Sequence, residues 1–246
     1  MAYINMYAIF GTLENLCELD AASSAMLSNQ KPISIGFDVT GGPKATLYFK
    51  NGRCRLEQGL GDCTIKIPFA SCEKFNGLFD GTVTPIPTKG LTHIGFLLNT
   101  FTALTDRLTA YMRPDPKDLE DREFFEISTK LMFYTIAVAL AQIANNDEIG
   151  KFSAHLIPDG EISFSIKNGP AATIRVKDHK LVTIKKACEN PRALMAFESI
   201  DLARDLFDGK VNAVACIGEG TIEMRGMINM IDNLNRILDR VALYLA

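Results

Sequence analysis

Two stretches of the chain, Ile33–Val39 and Ile162–Ile166, alternate apolar and polar residues with a period of two. This period is typical of a strand that buries one face. A Gly-Pro turn follows each stretch and leads into a second predicted strand. Asn51-Gly52 then predicts a hairpin into a third strand, Arg53–Glu57, and Asp178-His179 stands at the same turn in the second half. The pattern predicts a small sheet in each half of the chain.

A helical pattern of apolar residues precedes and follows each predicted sheet along the chain. A leading helix is predicted over Tyr7–Leu27 in the first half and over Asp121–Asn145 in the second. A closing helix follows each sheet, over Leu97–Met112 and Ile231–Leu245, and its apolar residues recur every three or four positions. Each half therefore reads as a sheet covered by helices, which is an α+β arrangement.

The two halves also repeat each other in sequence. Leu78–Gly81 recurs identically as Leu206–Gly209, 128 positions later. Three further matches follow in the same order along the chain, at separations between 127 and 133 positions. Self-similarity of this kind indicates a repeated structural unit. We predict one copy over residues 1–113, a Pro- and charge-rich linker over 114–120, and a second copy over 121–246.

The two copies differ after the repeated segment, which is Leu78–Gly81 in the first copy and Leu206–Gly209 in the second. The second copy continues with Val211–Gly218 and Thr221–Arg225, which we predict to be two strands. The first copy has Val83–Thr88 at this point, with prolines at positions 85 and 87. Proline cannot donate a hydrogen bond to a neighbouring strand, so this stretch is expected to be an edge strand or irregular. We expect about five strands in the second copy and fewer in the first.

The second copy, from about Asp159 to Ala246, resembles the sterol carrier protein type-two-like family. The resemblance lies in Asp208–Ala213 and Gly220–Gly226, which precede an apolar closing helix. It implies two tandem sterol-carrier-like units, the first degenerate, each with a mostly antiparallel sheet. It also implies an apolar cavity between the sheet and its helices that holds fatty acyl chains, sterols or other lipids, with no chemistry and no metal.

Apolar side chains of the second sheet and of its closing helix are the candidate lining of this cavity. They are Phe164, Ile166, Ile174, Val176, Met224, Met227, Ile231, Leu234 and Leu238. Residues of these types line pockets for apolar ligands. The same residues also describe a filled core, because protein interiors are packed as densely as organic crystals. The sequence leaves both interpretations open.

Charged pairs recur in both predicted closing helices. Asp106-Arg107 precedes Tyr111 in the first, and Asp239-Arg240 precedes Tyr244 in the second. Adjacent residues on a helix do not face each other, so each charge is expected to find its partner elsewhere or to be solvated. We interpret the pairs as structural salt bridges or as a symmetric contact between the two copies.

Composition narrows the classes of partner. The chain of 246 residues has a formal net charge of −3 and no Lys/Arg run longer than two residues, which argues against a nucleic-acid partner. The strongly apolar run Leu131–Ala144 is shorter than the roughly 20 residues that span a bilayer, so we expect a core helix and no stable membrane insertion.

None of the six cysteines forms a CxxC pair, and Met1–Phe10 lacks the pattern of a secretory signal. We expect reduced thiols, a cytoplasmic location, and no metal or cofactor.

Catalytic groups have no recognisable arrangement in the sequence. No motif accompanies the three histidines, His93, His155 and His179, and GxSxG and HExxH are absent. We therefore predict no catalytic residue and a protein that binds or carries a hydrophobic small molecule. Two alternatives stay open. One is a structural or assembly module with a filled core that forms a homo-oligomer, and the other is an enzyme that uses His93 on a lipid-like or isoprenoid substrate.

Overall fold

The computed structural model describes residues 1–245, which form two units, Met1–Ile127 and the part from Ser128 onward. Each unit contains one sheet and a set of helices. The fold is therefore α+β, which confirms the predicted class. The units divide within a helix at Ile127, a few residues beyond the predicted linker 114–120, and the domain boundaries given above stay predictions.

The first unit begins with helices and continues with a sheet. Its elements are α1 (Thr12–Leu19), α2 (Ala21–Ser28), β1 (Ile33–Val39), β2 (Lys44–Lys50), β3 (Arg53–Gln58), β4 (Ile65–Phe69), α3 (Cys72–Phe79) and α4 (Thr102–Met112). Two stretches of wider π-helix, Ile4–Ile9 and Phe96–Phe101, precede α1 and α4. The predicted closing helix is thus present, with its first turns as π-helix.

The second unit follows the same order of elements and adds a helix and a strand before the closing helix. Its elements are α5 (Arg122–Asn146), α6 (Glu148–His155), β5 (Gly160–Ile166), β6 (Ala171–Lys177), β7 (Lys180–Ile184), β8 (Ala193–Phe197), α7 (Ile200–Phe207), α8 (Ala213–Glu219), β9 (Ile222–Gly226) and α9 (Ile228–Leu245). The closing helix α9 packs against α6 and β8.

Both sheets have the same core topology. The strand order is β3-β2-β1-β4 in the first sheet and β7-β6-β5-β8-β9 in the second. The pairs β1–β4 and β5–β8 are parallel, and the remaining pairs are antiparallel. The sheets are therefore mostly antiparallel, with four and five strands, as predicted. The registers agree as well: Phe37 pairs with Ala45 and Ile67, and Phe164 pairs with Ala172 and Met195.

The hairpin turns follow the predicted turn chemistry. Asn51 and Gly52 have φ angles of 51° and 76°, and Asp178 and His179 have φ angles of 49° and 62°. Two consecutive residues with positive φ form a type I′ turn, whose twist matches that of paired strands. Asn and Asp tolerate this left-handed conformation better than most residues, which explains their place at the turns.

The prediction of one continuous leading helix over Tyr7–Leu27 was wrong. The helix is interrupted at Asp20, whose backbone is extended at φ −107° and ψ 109° and whose carboxylate accepts a hydrogen bond from the amide of Ser23. Aspartate is a preferred N-cap because its side chain satisfies a free amide of the first turn. Asp147 does the same for α6 in the second unit, where it accepts from the amide of Gly150 at 2.8 Å.

The segment Val211–Gly218, which we predicted to be a strand, contains helix α8 instead. Asn212 caps this helix by accepting hydrogen bonds from the amides of Val214 and Ala215, and Gly220 ends it with a φ of 79°. An N-cap and a left-handed glycine are the usual helix boundaries, and here they outweigh the β-branched residues between them. The second predicted strand, over Thr221–Arg225, is present as β9.

The first sheet lacks a counterpart of β9. Val83–Thr88, with its two prolines, forms no strand, and a single bridge between Lys66 and Lys89 remains at this edge. Gly90 follows the bridge with a φ of 83°, and a Cβ there would collide with the carbonyl oxygen of Thr64. Only glycine fits such a close approach of backbone to backbone. The prediction of an irregular or edge segment is confirmed.

Helix α5 agrees to within one residue with the predicted leading helix Asp121–Asn145, and it extends beyond the apolar run Leu131–Ala144 at both ends. Arg122–Asn146 is 25 residues long and apolar enough to cross a bilayer, and 67% of its most apolar window is buried inside the structure. Our argument from length against a membrane span is therefore wrong. The burial itself is typical of core helices in soluble proteins. Hydrogen bonds hold α5 to β7. The Thr183 hydroxyl donates to the Ala137 carbonyl at 2.6 Å, the Asn145 side chain donates to the Leu181 carbonyl at 2.7 Å, and the Leu181 amide donates to Asn145 Oδ1 at 3.0 Å.

Candidate functional site

Four of the predicted lining residues lie together on one face of the second sheet. Phe164 and Ile166 belong to β5, and Ile174 and Val176 belong to β6. In the register of the two strands, Ala172 lies opposite Phe164, and Ile174 and Val176 follow Ala172 by two and four residues. Ile174 and Val176 therefore point to the same side of the sheet as Phe164. All four are at most 2% exposed. The alternation in the sequence therefore identified the inner face correctly.

The remaining lining residues differ in burial. Ile231 and Leu234 of α9 are buried, and Met224, Met227 and Leu238 are half-buried. The register pairs Met224 with Met195, which lies on the same face of the sheet as Phe164. Each of these three half-buried side chains lies at the border between the interior and solvent.

Other members of the inner face were missed from the sequence. Ile237 is fully buried on α9, whereas its neighbour Leu238, which we selected, is only half-buried. Phe133 of α5 stacks on Phe164 with a centroid distance of 4.8 Å and an angle of 9° between the rings. The alternation along the strands could not reveal Phe133 because the helix approaches the sheet only in the folded unit.

The interior of the first unit is dense in aromatic rings. The centroid of Phe10 lies 4.9 Å from Phe37, 6.1 Å from Phe75 and 5.9 Å from Phe101, and Phe49 lies 6.1 Å from Phe101. Phe75 and Phe37 are fully buried. Ring pairs at these distances pack favourably beyond the area that they bury.

Smaller residues stand at the corresponding positions of the second unit. The separations of the sequence repeat, 127, 128 and 133, place Ala137, Val176, Ala203 and Leu234 where the first unit has Phe10, Phe49, Phe75 and Phe101. All four are buried. The second unit has Phe164 where the first has Phe37, and these two residues occupy the same place in the register of their sheets. The inner face of the second unit is therefore built from less side-chain volume at these positions.

A partly buried ion pair clamps the closing helix of the first unit. Both guanidinium nitrogens of Arg107 that face Asp20, Nε and one Nη, donate to its carboxylate at 2.6 Å, and the Tyr111 hydroxyl donates at 3.2 Å. The hydroxyl and the amide of Ser23 donate to the same carboxylate. Burial alone would raise the pKa of Asp20, but the hydrogen bonds from Arg107 and Ser23 hold it well below its usual range.

An equivalent clamp closes the second unit. The Tyr244 hydroxyl donates to Asp147 at 2.8 Å, and one Nη of Arg240 donates at 3.1 Å. Burial raises the pKa of Asp147, but hydrogen bonds from Gly150, Tyr244 and Arg240 outweigh it and lower the pKa to about 2. The clamps explain the repeated Asp-Arg and Tyr residues: each arginine binds the N-cap of a helix within its own unit, which bears out the expected structural salt bridge.

Acid is expected to weaken the second clamp between about pH 4 and pH 2. Because the folded pKa of Asp147 lies below its ordinary value, its contribution to stability is complete above pH 4 and is lost as the pH falls through about 2. Over this window, the free energy of unfolding of Asp147→Asn should change less with pH than that of the unaltered protein, measured by urea denaturation. Identical pH dependence in both proteins would contradict the assignment.

The histidines and cysteines form no recognisable reactive centre in residues 1–245. His155 and His179 stack with ring centroids 4.4 Å apart, and Nδ1 of His93 shares a hydrogen bond with the neighbouring Thr92 hydroxyl. Within the same residues, no group of three or more His, Cys, Asp or Glu side chains is arranged to hold a metal ion. The described cysteines are free thiols.

Comparison with known proteins gives matches among solved structures alone. No protein-family model matches the chain, and no curated protein sequence does. Sterol carrier protein domain 2 of Helicoverpa armigera matches at 19% identity and a TM-score of 0.36, covering 45% of this chain and 87% of that one. The chain is similar in structure to sterol carrier protein domains.

Two further sterol-carrier-type structures give comparable values. The UbiJ-SCP2 ubiquinone synthesis protein matches at 13% identity and a TM-score of 0.36, covering 45% of this chain and 96% of that one. Sterol carrier protein 2 from Yarrowia lipolytica, in its apo form, matches at 18% identity and a TM-score of 0.34, covering 45% and 92%.

Proposed function

We propose that the second unit binds an apolar small molecule, such as a fatty acyl, sterol-like or isoprenoid lipid, between its sheet and α9. The observation that carries this proposal is the loss of ring volume inside the second unit. Ala137, Val176, Ala203 and Leu234 stand where the first unit has four phenylalanines. We infer that the units are tandem copies of one fold, that the first fills its interior with its own rings, and that the second leaves this space to a ligand.

Packing density gives the physical reason. Protein interiors are close-packed, so side-chain volume removed from one copy must be replaced by other side chains or by a bound molecule. Phe133 replaces part of it by stacking on Phe164. An apolar space that stays unfilled excludes water and takes up apolar ligands. Met224, Met227 and Leu238 at the border supply the flexible, half-buried side chains through which such a ligand enters.

The proposal assigns the chain a carrier function without catalysis, metal or cofactor. The binding energy comes from apolar area removed from water, about 25 cal/mol for each Å². A cytoplasmic location is part of the same proposal, on the ground that free thiols persist in a reducing compartment.

Native mass spectrometry of the purified protein, before and after organic extraction, tests the proposal directly. We expect a bound apolar species that extraction removes, and saturable binding of the neutral dye Nile red by the extracted protein. The absence of any bound species, together with no response to the dye, would overturn the proposed function.

Ala203→Phe restores to the second unit the ring that Phe75 provides in the first. We expect this variant to lose Nile red binding and to keep its free energy of unfolding, because the ring enters space that the ligand otherwise occupies. In a filled core the same ring would instead destabilise the fold by about 1–3 kcal/mol. Ala215→Phe on α8, where the residue is exposed, is the matched control and should change neither quantity. Dye binding and urea denaturation measure the two outcomes.

An assembly module is the second candidate, and exposed apolar residues favour it. Phe152 of α6 is 64% exposed, Ile228 of α9 is 80% exposed, and the amide of Asn229 donates to the carbonyl of Leu156, which brings the two helices together here. Exposed apolar patches often mark interfaces. A stable homo-oligomer in light scattering, abolished by Phe152→Asp, together with no bound lipid, would favour this function over the carrier.

A further inference from the structure

One row of polar side chains on α9 faces α6. At the start of this row the Asn229 side-chain amide donates to the carbonyl of Leu156 at 3.0 Å. At the end of the row the side chains of Arg240 and Tyr244 donate hydrogen bonds to the carboxylate of Asp147. Asn233 lies one turn after Asn229 and seven residues before Arg240, so it belongs to the same row. Its side chain is buried, with an exposed fraction of 2%.

Only the nitrogen of the Asn233 side-chain amide has hydrogen-bond partners. Its Nδ2 donates to the Asn229 carbonyl at 2.9 Å and to the Asn229 Oδ1 at 2.6 Å. Both partners are acceptors, so the nitrogen must point toward Asn229 and the oxygen away from it. Within the part of the chain that the structure describes, Asn233 Oδ1 is buried and accepts no hydrogen bond. A buried acceptor without a donor is costly, which makes Asn233 Oδ1 an unusual group inside a folded unit.

The closing helix of the first unit has no such acceptor at the corresponding position. Counting seven residues back from the clamp arginine of the first unit leads to Thr100, which is half-exposed in the π-helical stretch before α4. The first unit has a buried acceptor without a hydrogen bond as well, Asn5 Oδ1, but it belongs to the π-helical stretch Ile4–Ile9. Among the residues that the structure describes, such an acceptor on a closing helix occurs in the second unit, next in sequence to the fully buried Leu234.

We propose that Asn233 Oδ1 accepts a hydrogen bond from the polar head of the apolar ligand, and that this ligand is a neutral alcohol. The inference rests on the proposed function and names its ligand class. A hydroxyl can donate to the amide oxygen, whereas an ionised carboxylate has no proton to donate. A buried carboxylate facing Asn233 Oδ1 would be both unpaired and close to a second acceptor, which is strongly unfavourable. Asn233 is thus a specificity-determining residue that selects alcohols over fatty acids.

Competition with Nile red tests this selectivity on the full-length protein after organic extraction. The probes are 1-hexadecanol, its methyl ether and palmitate, which share one alkyl chain and differ in the head. We expect the alcohol to bind about tenfold more tightly than the ether, and palmitate to bind no better than the ether. In Asn233→Leu the alcohol and the ether should bind equally, while the affinity for the ether is retained.

Each outcome decides the inference. Equal affinities of the unaltered protein for the alcohol and the ether would overturn the role of Asn233 and leave the binding of apolar ligands intact. Tighter binding of palmitate than of the alcohol would overturn it too. If neither probe nor Nile red binds, the proposed function itself fails. Should Asn233→Leu not fold, the ratio of alcohol to ether affinity in the unaltered protein still decides.

Discussion

Asp20→Ala is expected to lower the free energy of unfolding by about 3 kcal/mol. The substitution removes the N-cap of α2 and leaves the guanidinium of Arg107 without the carboxylate that it binds through two hydrogen bonds of 2.6 Å. Breaking a buried ion pair from one side costs about 3–5 kcal/mol, and Arg107, whose side chain is 37% exposed, can still reach water, which keeps the loss at the lower end. Urea denaturation followed by circular dichroism measures the change.

Asp106→Ala provides the matched control on the same closing helix. Asp106 is adjacent to Arg107 in sequence but is exposed, so we expect a change within about 0.5 kcal/mol. A comparable loss in both variants would show that the negative charge on the helix matters rather than the contact with Asp20. A negligible loss in Asp20→Ala would mean that the clamp does not hold α4 in place.

The two clamps show which parts of a salt bridge could be predicted from the sequence and which could not. The repeated Asp-Arg and Tyr residues were recognised, and pairing within the helix was correctly excluded. Their true partners, Asp20 and Asp147, were missed because they lie 87 and 93 positions away from the arginines. A break in the helical pattern at Asp20 was the available signal, since aspartate before Ala21 is a good N-cap and a poor residue for the middle of a helix.

The strands could be predicted because one physical rule determines them. A period of two on Ile33–Val39 and Ile162–Ile166 places every second side chain inside, and β1 and β5 contain these residues. No such rule distinguished strand from helix over Val211–Gly218, a short apolar run in which capping by Asn212 decided the outcome. The inner face was therefore predicted well, and the elements that flank it less well.

The candidate site depends on a comparison that the sequence made available but did not explain. The repeat allowed Ala203 to be aligned with Phe75 from the beginning. Its meaning became clear only when the structure placed Phe75 within a cluster of rings, with centroids 5.1 Å from Phe69 and 5.5 Å from Phe79. Residue identity at a repeated position thus carries information about internal side-chain volume once the surrounding packing is known.

Phe75→Ala is expected to lower the free energy of unfolding by about 4 kcal/mol, because it leaves a cavity inside the first unit. Phe75 is fully buried and its ring contacts Phe10, Phe37 and Phe69, so little of the space can be refilled by side chains that are already packed. Leu98→Ala, at an apolar residue that is 67% exposed, is the control and should change stability by less than about 0.5 kcal/mol. Urea denaturation of both variants measures the difference.

The same variant also tests whether ring volume is what separates the two units. If rings in the first unit occupy the space that a ligand takes in the second, Phe75→Ala should gain a second binding site for Nile red and recover part of its stability when the dye is present, since a ligand that binds only the folded state stabilises it. The double variant Phe75→Ala with Ala203→Phe should then bind the dye in the first unit alone. Unchanged dye stoichiometry in Phe75→Ala would show that removing the ring does not create a ligand site, and that the difference between the units has another physical origin.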